Sequence, residues 1–318
     1  MIHYPPDDTK SSLLVPVADA WAGTLNCVGD EMRILIMGTG GIGGYYGGRL
    51  AEAGNEVVCV ARGAHLDAMQ ANKGITLREQ DGTDRLIPVQ AVRYPADAGG
   101  TFDFILFAVK TYDTAEAAAA IEPVVGPETC VVPIQNGVDS TEEIGQIISP
   151  ANVLAGSAML NASIAEPGVI RRASGTTAST IGEPTGPRSP RVERIVAAFN
   201  EAGIADFTAT DDAQRVLWEK FMFLAPCASV NSATGLSTGP FRAVPEGKQT
   251  VLAMQDEIRA VGLAAGVNLP EESAEKVRNI YLNLTDAHTV SMQRDFAAGR
   301  RVELESLSVD DFERILTS

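Results

Sequence analysis

The stretch R-I-L-I-M-G-T-G-G-I-G-G-Y-Y-G-G, Arg33–Gly48, carries the pattern around which the rest of the chain is arranged. An apolar run, Ile34–Met37, ends in Gly38-Thr39-Gly40-Gly41-Ile42-Gly43, and a small-residue helical pattern follows through Ala53 to a stop at Gly54. The order is strand, turn, helix. At such a junction Gly38 permits the tight turn, Gly40 lets backbone approach a pyrophosphate, and Gly43 lets the helix lie close to the strand. The phosphates sit at the helix N-terminus, where unpaired N–H groups and the helix dipole favour anions. In a chain with 30 glycines the spacing alone carries little, and a plain glycine turn in another α/β protein is the rival reading. A second strand, Glu56–Val60, follows where a β-α-β unit requires one, which favours the dinucleotide fold.

That second strand leads into Ala61-Arg62-Gly63. An acidic side chain there would take the ribose hydroxyls of NAD, whereas a cation suits the 2′-phosphate of NADP, so Arg62 points to NADPH. The alternative is a solvated loop arginine. Phe104–Val109 is another apolar run of strand type and ends at Lys110-Thr111; Cys130–Ile134 repeats the design and ends at Gln135-Asn136-Gly137. Gly38, Arg62, Lys110 and Asn136 thus all fall just past the carboxyl ends of predicted parallel strands, where open α/β sheets bind ligands. Ser140 and Glu143 are spaced as a capping box for the next helix.

Residues Asn152–Glu183 read as shorter strands that extend the sheet, with turns at Pro167-Gly168 and Ser174-Gly175. Ser189-Pro190 starts an amphipathic helix to about Ala202, and a last strand covers Ile204–Thr208. Asp211-Asp212 are good N-cap residues, and beyond them the pattern is wholly helical. The expected fold is therefore α/β, a Rossmann-type doubly wound sheet over residues 32–210 followed by an all-helical domain over residues 211–318. Residues 1–31 carry scattered Pro and Asp, and Met32 stands directly before the first strand, so the segment reads as a disordered extension or as an over-long start. A signal peptide is the other reading, against which stand Pro16, Asp19 and the scarcity of positive charge ahead of Leu13–Ala22.

In the helical half, Lys220 is the last charge before an apolar stretch that runs to Val230. Partial desolvation at such an edge lowers a lysine's pKa toward the range useful for an acid. The bland reading is a snorkelling lysine. Helices are predicted at about Glu246–Ala265, ended by Gly266, and at Glu271–Leu284. Ser291 and Asp295 then share a helical face, and Glu303 follows Gly299-Arg300-Arg301. Taken singly, these are surface residues.

The composition, 45% hydrophobic and 21% charged, is that of an ordinary globular protein. No uninterrupted apolar stretch approaches the about 20 residues of a membrane helix. The formal charge of −16 argues against nonspecific binding to nucleic acid or an anionic membrane, because the mean field repels phosphate. Cys27, Cys59, Cys130 and Cys227 form no C-x-x-C and read as reduced cytoplasmic thiols. With His3, His65 and His288 the only histidines, no metal site is expected.

Taken together, G-T-G-G-I-G, the strand-terminal Lys110, Q-N-G at Gln135–Gly137, W-E-K at Trp218–Lys220, S-M-Q-R-D at Ser291–Asp295 and V-E-L-E at Val302–Glu305 resemble the ketopantoate reductases, two-domain NADPH-dependent enzymes of pantothenate and coenzyme A biosynthesis. The resemblance runs from Met32 to about Glu305. It implies hydride transfer to the keto carbon of a 2-oxo acid, with Lys220 the general acid and Glu303 its orienting or substrate-binding partner. It further implies that Ser291 holds the substrate carboxylate, and that Lys110 and Asn136 stand at the nicotinamide ribose and the reacting carbonyl. A homodimer through the helical domain is the expectation for this type.

The chain departs from that pattern in two places. The helix after the family's lysine usually carries asparagines four and eight residues on; here those positions are Leu224 and Ala228. Val309–Ser318 does not match the family's ending, which reads as a divergent or truncated tail, or as packing supplied by a partner chain. The rival functions are reduction of a different, more apolar 2-oxo acid, and NADPH sensing without turnover. Retention of Lys220 together with Glu303 favours catalysis.

Overall fold

The computed structural model describes residues 31–173 and 177–307. The expectations placed on the first 30 residues, on the turn at Ser174-Gly175 and on the segment from Val309 onward lie outside the described residues. The described elements begin with β1 (Arg33–Met37), α1 (Gly41–Glu52), β2 (Glu56–Val60), α2 (Gly63–Asn72), β3 (Gly74–Arg78), β4 (Asp84–Pro88) and β5 (Gln90–Val92). They continue with β6 (Phe104–Phe107), α3 (Thr114–Ile121), β7 (Cys130–Pro133), α4 (Ser140–Ile147), β8 (Ala155–Ala158), β9 (Ala162–Glu166), β10 (Val169–Arg172), β11 (Ser179–Gly182), α5 (Pro190–Glu201) and β12 (Phe207–Ala209). Only helices follow: α6 (Ala213–Thr234), α7 (Thr238–Ala243), α8 (Pro245–Ala264), α9 (Glu271–Leu282) and α10 (Ser291–Ala297).

Five strands form an all-parallel sheet in the order β5-β2-β1-β6-β7. Because successive strand side chains point to opposite faces, Ile34 and Ile36 of β1 enter one core while Leu35 and Met37 enter the other. Both faces are covered, which is why these strands read as continuous apolar runs. The first core is closed by an aromatic group in which Phe199 of α5 stacks on Phe207 of β12 at 3.7 Å and Tyr46 of α1 meets Phe199 edge-on at 5.3 Å. The Tyr46 hydroxyl donates to the Thr177 carbonyl at 2.9 Å and pairs with Ser179 Oγ at 2.7 Å, so this buried ring keeps its polar end satisfied.

β1 lies between β2 and β6, so the chain leaves β1 to one side and later returns to the other. That reversal opens a crevice at the strands' carboxyl ends.

Helix limits follow the local chemistry. Pro190 presets φ at the first position of α5 after Ser189, and Val192, Ile195, Val196 and Phe199 then bury one face. At α6 the Asp212 side chain accepts from Arg215 N at 3.1 Å, and Gly235, at φ 70°, ends the helix. A third core, built on Trp218, Phe221, Met222, Val251, Ile258, Val277 and Tyr281, holds α6, α8 and α9 together.

Several expectations are corrected. The strands of Asn152–Glu183 do not simply lengthen the parallel sheet. β9 and β10 join β3 and β4 in a separate four-stranded sheet, β4-β3-β10-β9, and β8 pairs with β11 and β12 in a third. A bridge between Val131 and Val153 links this region to β7. Ser140 caps nothing: it is the first helical residue of α4, and Asp139 holds the cap position. The last strand is Phe207–Ala209 rather than Ile204–Thr208, because residues 205–206 make a turn.

Candidate active site

At the carboxyl end of β1 the backbone turns through Gly38, whose φ of 99° excludes most side chains. At Gly43 a Cβ would lie 2.3 Å from the Gly38 carbonyl oxygen, so only glycine lets α1 start this close to the turn. Beside Gly40, by contrast, a Cβ would meet nothing within 4 Å. Gly40 is also the N-cap of α1, with no side-chain cap and no acidic residue in the first turn. Open space, an uncapped helix N-terminus and the absence of nearby carboxylate on α1 fit a pyrophosphate. Thr39 is spent within the fold: its hydroxyl and its N–H both donate to the Val60 carbonyl, at 2.9 and 3.0 Å. At Gly41 a Cβ would come within 2.1 Å of the Ala162 carbonyl, so β9 backs this loop, and Ile42 is half-buried beside it.

Arg62 is the N-cap residue of α2, just past β2, and its side chain is 83% exposed. One guanidinium nitrogen lies 3.1 Å from Asp113 Oδ2.

Past the ends of β6 and β7 a denser group forms. Lys110 Nζ donates to Glu303 Oε2 at 2.9 Å and to Asp295 Oδ2 at 3.0 Å. Glu303, a carboxylate only 5% exposed, also accepts from Thr111 N at 3.2 Å and from Asn136 Nδ2 at 3.3 Å. Asp295 is shared with Arg300. The two strand-end loops are pinned by Gln135, whose Nε2 donates to the Val109 carbonyl at 3.0 Å and to Thr114 Oγ1 at 2.9 Å. Burial works against a charge on Lys110, but Glu303 and Asp295 outweigh it and raise the pKa, so this lysine stays a cation. Burial likewise pushes Asp295 up, and Lys110 and Arg300 overcome it to hold the carboxyl below the usual range.

Lys220 is placed by its neighbours in W-E-K. Trp218 packs into the third core beside Gly262, where a Cβ would lie 2.8 Å from the indole. Glu219 accepts from Ser273 Oγ at 2.6 Å and pairs with Lys276, tying α6 to α9. With both neighbours committed, Lys220 is left half-buried and, among the described residues, without an ion-pair partner within 4.0 Å. Desolvation lowers its pKa to about 8, with the field of Glu303 pulling the other way. Ser291 opens α10, one turn ahead of Asp295, and Leu224 and Ala228 lie on α6 one and two turns beyond Lys220.

The structure thus brings Lys110, Asn136 and Glu303 into direct contact and leaves Lys220 coupled to Glu303 through space only. The contact of Glu303 with Lys110 was not legible in the sequence, nor were the roles of Thr111, Gln135 and Asp295; the signal for Asp295 was its shared face with Ser291.

The arrangement holds Lys110 as a cation and leaves Lys220 with a pKa lowered to about 8, both within the field of Glu303. The family described as "Ketopantoate reductase PanE/ApbA" matches residues 34–186, and its C-terminal counterpart, "Ketopantoate reductase PanE/ApbA C terminal", matches residues 212–309. The chain belongs to the ketopantoate reductase family. It is 31% identical over 297 residues to the 2-dehydropantoate 2-reductase of Mesorhizobium japonicum, covering 87% of this chain and 89% of that one. The enzyme of the same name from Halobacterium salinarum is 31% identical over 283 residues, with the same coverage. Among solved structures, 2-dehydropantoate 2-reductase from Methylococcus capsulatus superposes with a TM-score of 0.79 at 32% identity, over 89% of each chain. As a ketopantoate reductase family member, the protein is a nicotinamide-dinucleotide-dependent oxidoreductase acting on a small molecule. Among the described residues no helix is long and apolar enough to cross a membrane.

Proposed function

We propose that the protein reduces 2-dehydropantoate to pantoate with NADPH, and that Lys220 is the acid that protonates the forming alkoxide. The observation that carries this reading is the contrast between two lysines that both feel Glu303: Lys110 is held a cation by direct contact with carboxylates, and Lys220, without such a contact, has its pKa lowered to about 8 and can give up its proton more readily. When bound, the dinucleotide supplies the hydride. Gly38, Gly40, Gly41, Ile42 and Gly43 bind its pyrophosphate through backbone N–H groups, and Arg62 takes the 2′-phosphate. Lys110 and Asn136 orient the nicotinamide ribose and the carbonyl, with Glu303 fixing both, and Ser291 binds the substrate carboxylate. A cation near the carbonyl oxygen stabilises charge that develops only in the transition state, which is where catalysis gains. Lys220 then gives its proton to the oxygen and is recharged from solvent.

In this reading residues 32–210 bind the dinucleotide and residues from 211 on bind substrate and form a homodimer. Buried free thiols at Cys59, Cys130 and Cys227 fit a cytoplasmic location.

Leu224 and Ala228 favour a second reading, a more apolar 2-oxo acid, since neither can donate to a substrate hydroxyl. Consumption of NADPH against a panel of 2-oxo acids separates the two. The first reading expects the highest kcat/KM with 2-dehydropantoate, by roughly 10–200-fold over apolar analogues; a larger value for an apolar 2-oxo acid overturns it.

A further inference from the structure

Asp113 occupies the N-cap position of α3, where an aspartate ordinarily turns back to accept a backbone N–H of the first turn. It makes no such cap. Its carboxylate reaches instead to Arg62, at 3.1 Å and 51 residues away in sequence. The two ends of this pair are unequal: the Asp113 side chain is 23% exposed and that of Arg62 is 83% exposed. The carboxylate is the more buried end and the guanidinium the exposed one. Arg62 follows β2 and Asp113 follows β6, with β1 between them in the sheet, so the pair spans the strand end at which the glycine loop begins.

We propose that Asp113 is a specificity-determining residue for the cofactor, because it competes with the 2′-phosphate for Arg62. The inference rests on the reading that Arg62 receives that phosphate. A phosphate within hydrogen-bonding reach of Arg62 comes within about 6 Å of the Asp113 carboxylate, where like charges repel even at high dielectric. NADH presents no such charge. It leaves the Arg62–Asp113 pair intact. Discrimination between the two cofactors is therefore narrower than Arg62 alone would give, and Asp113 is the group that narrows it.

The test is titration of NADPH and of NADH, followed by nicotinamide fluorescence without substrate, in the full-length protein and in Asp113→Asn, Arg62→Ala and the double variant. Asp113→Ser, which removes the charge and places a hydroxyl suited to capping at the start of α3, guards against loss of fold there. Asp113→Asn is expected to tighten NADPH about three- to tenfold and to leave NADH within about twofold, and the gain is expected to vanish in the Arg62→Ala background. If Arg62→Ala selectively weakens NADPH but Asp113→Asn and Asp113→Ser weaken it too, Asp113 orients Arg62 and the proposal fails while the cofactor reading stands. If Arg62→Ala spares NADPH, both fail together.

Discussion

Glu303 closes on Lys110 at 2.9 Å and does not touch Lys220, although both lysines feel its charge. One carboxylate therefore does two things at different ranges: by contact it fixes Lys110, Thr111 N and Asn136, and by its field it keeps the Lys220 proton on at higher pH than burial alone would allow.

Glu303→Gln separates the two effects. Removing the negative charge takes away the influence that raises the Lys220 pKa, so the fall of kcat/KM on the alkaline side moves to lower pH. Turnover at neutral pH drops, and the loss is smaller than that of Lys220→Ala. A pH–rate profile of the variant is the measurement, and an alkaline limb that stays where it was rules out the coupling.

Lys220→Ala should lower kcat by about 10²–10⁴-fold with cofactor affinity nearly unchanged. As a proton donor Lys220 works in its charged form. With a pKa of about 8, reduction by the wild-type enzyme should be maximal below that value and decline as pH rises through it. Combined with Glu303→Gln the losses should fall short of their sum, since groups acting as a unit are not additive. Intact turnover in Lys220→Ala, with only a small fall in melting temperature, would instead identify a packed surface lysine.

Arg62→Ala should weaken NADPH by about 1.5–3 kcal/mol while changing NADH little, because only the phosphate loses a charge-assisted contact. Direct binding titrations decide it. Equal losses for both cofactors, or tighter wild-type binding of NADH, contradict the assignment.

Gly40→Ala and Gly43→Ala should fail differently. A methyl at Gly40 enters open space, so the melting temperature holds while cofactor affinity falls. A methyl at Gly43 is forced to 2.3 Å from the Gly38 carbonyl oxygen and should cost stability outright, about 1–3 kcal/mol. Thermal unfolding alongside cofactor titration distinguishes the two, and similar unfolding behaviour in both variants overturns the division of labour between these glycines.

The parallel sheet and its glycine loop were legible because strands buried on both faces leave unbroken apolar runs, as in Ile34–Met37 and Phe104–Phe107. The sheet built from β3, β4, β9 and β10 was not. Its residues alternate, as in Asp84–Pro88 with burial only at Ile87, and the pairing of β3 with β10 joins segments far apart in sequence. Position was legible for Lys110, Asn136 and Glu303 in the site, and partnership was not. A carboxylate's choice between two lysines depends on where helices converge after folding, and sequence spacing does not encode it. The α7 helix escaped notice because six residues carry too little periodicity.

The contacts of Lys110 with Asp295 and Glu303 join positions 185 and 193 residues apart. During synthesis at about 5–20 residues per second, β6 therefore waits on the order of 10–40 s before its carboxylate partners leave the ribosome. Until they do, Lys110 lacks its carboxylates and Lys220 lacks the field of Glu303. The cluster around Lys110 is therefore completed only after α10 has been made, an order set by the chain's direction of growth.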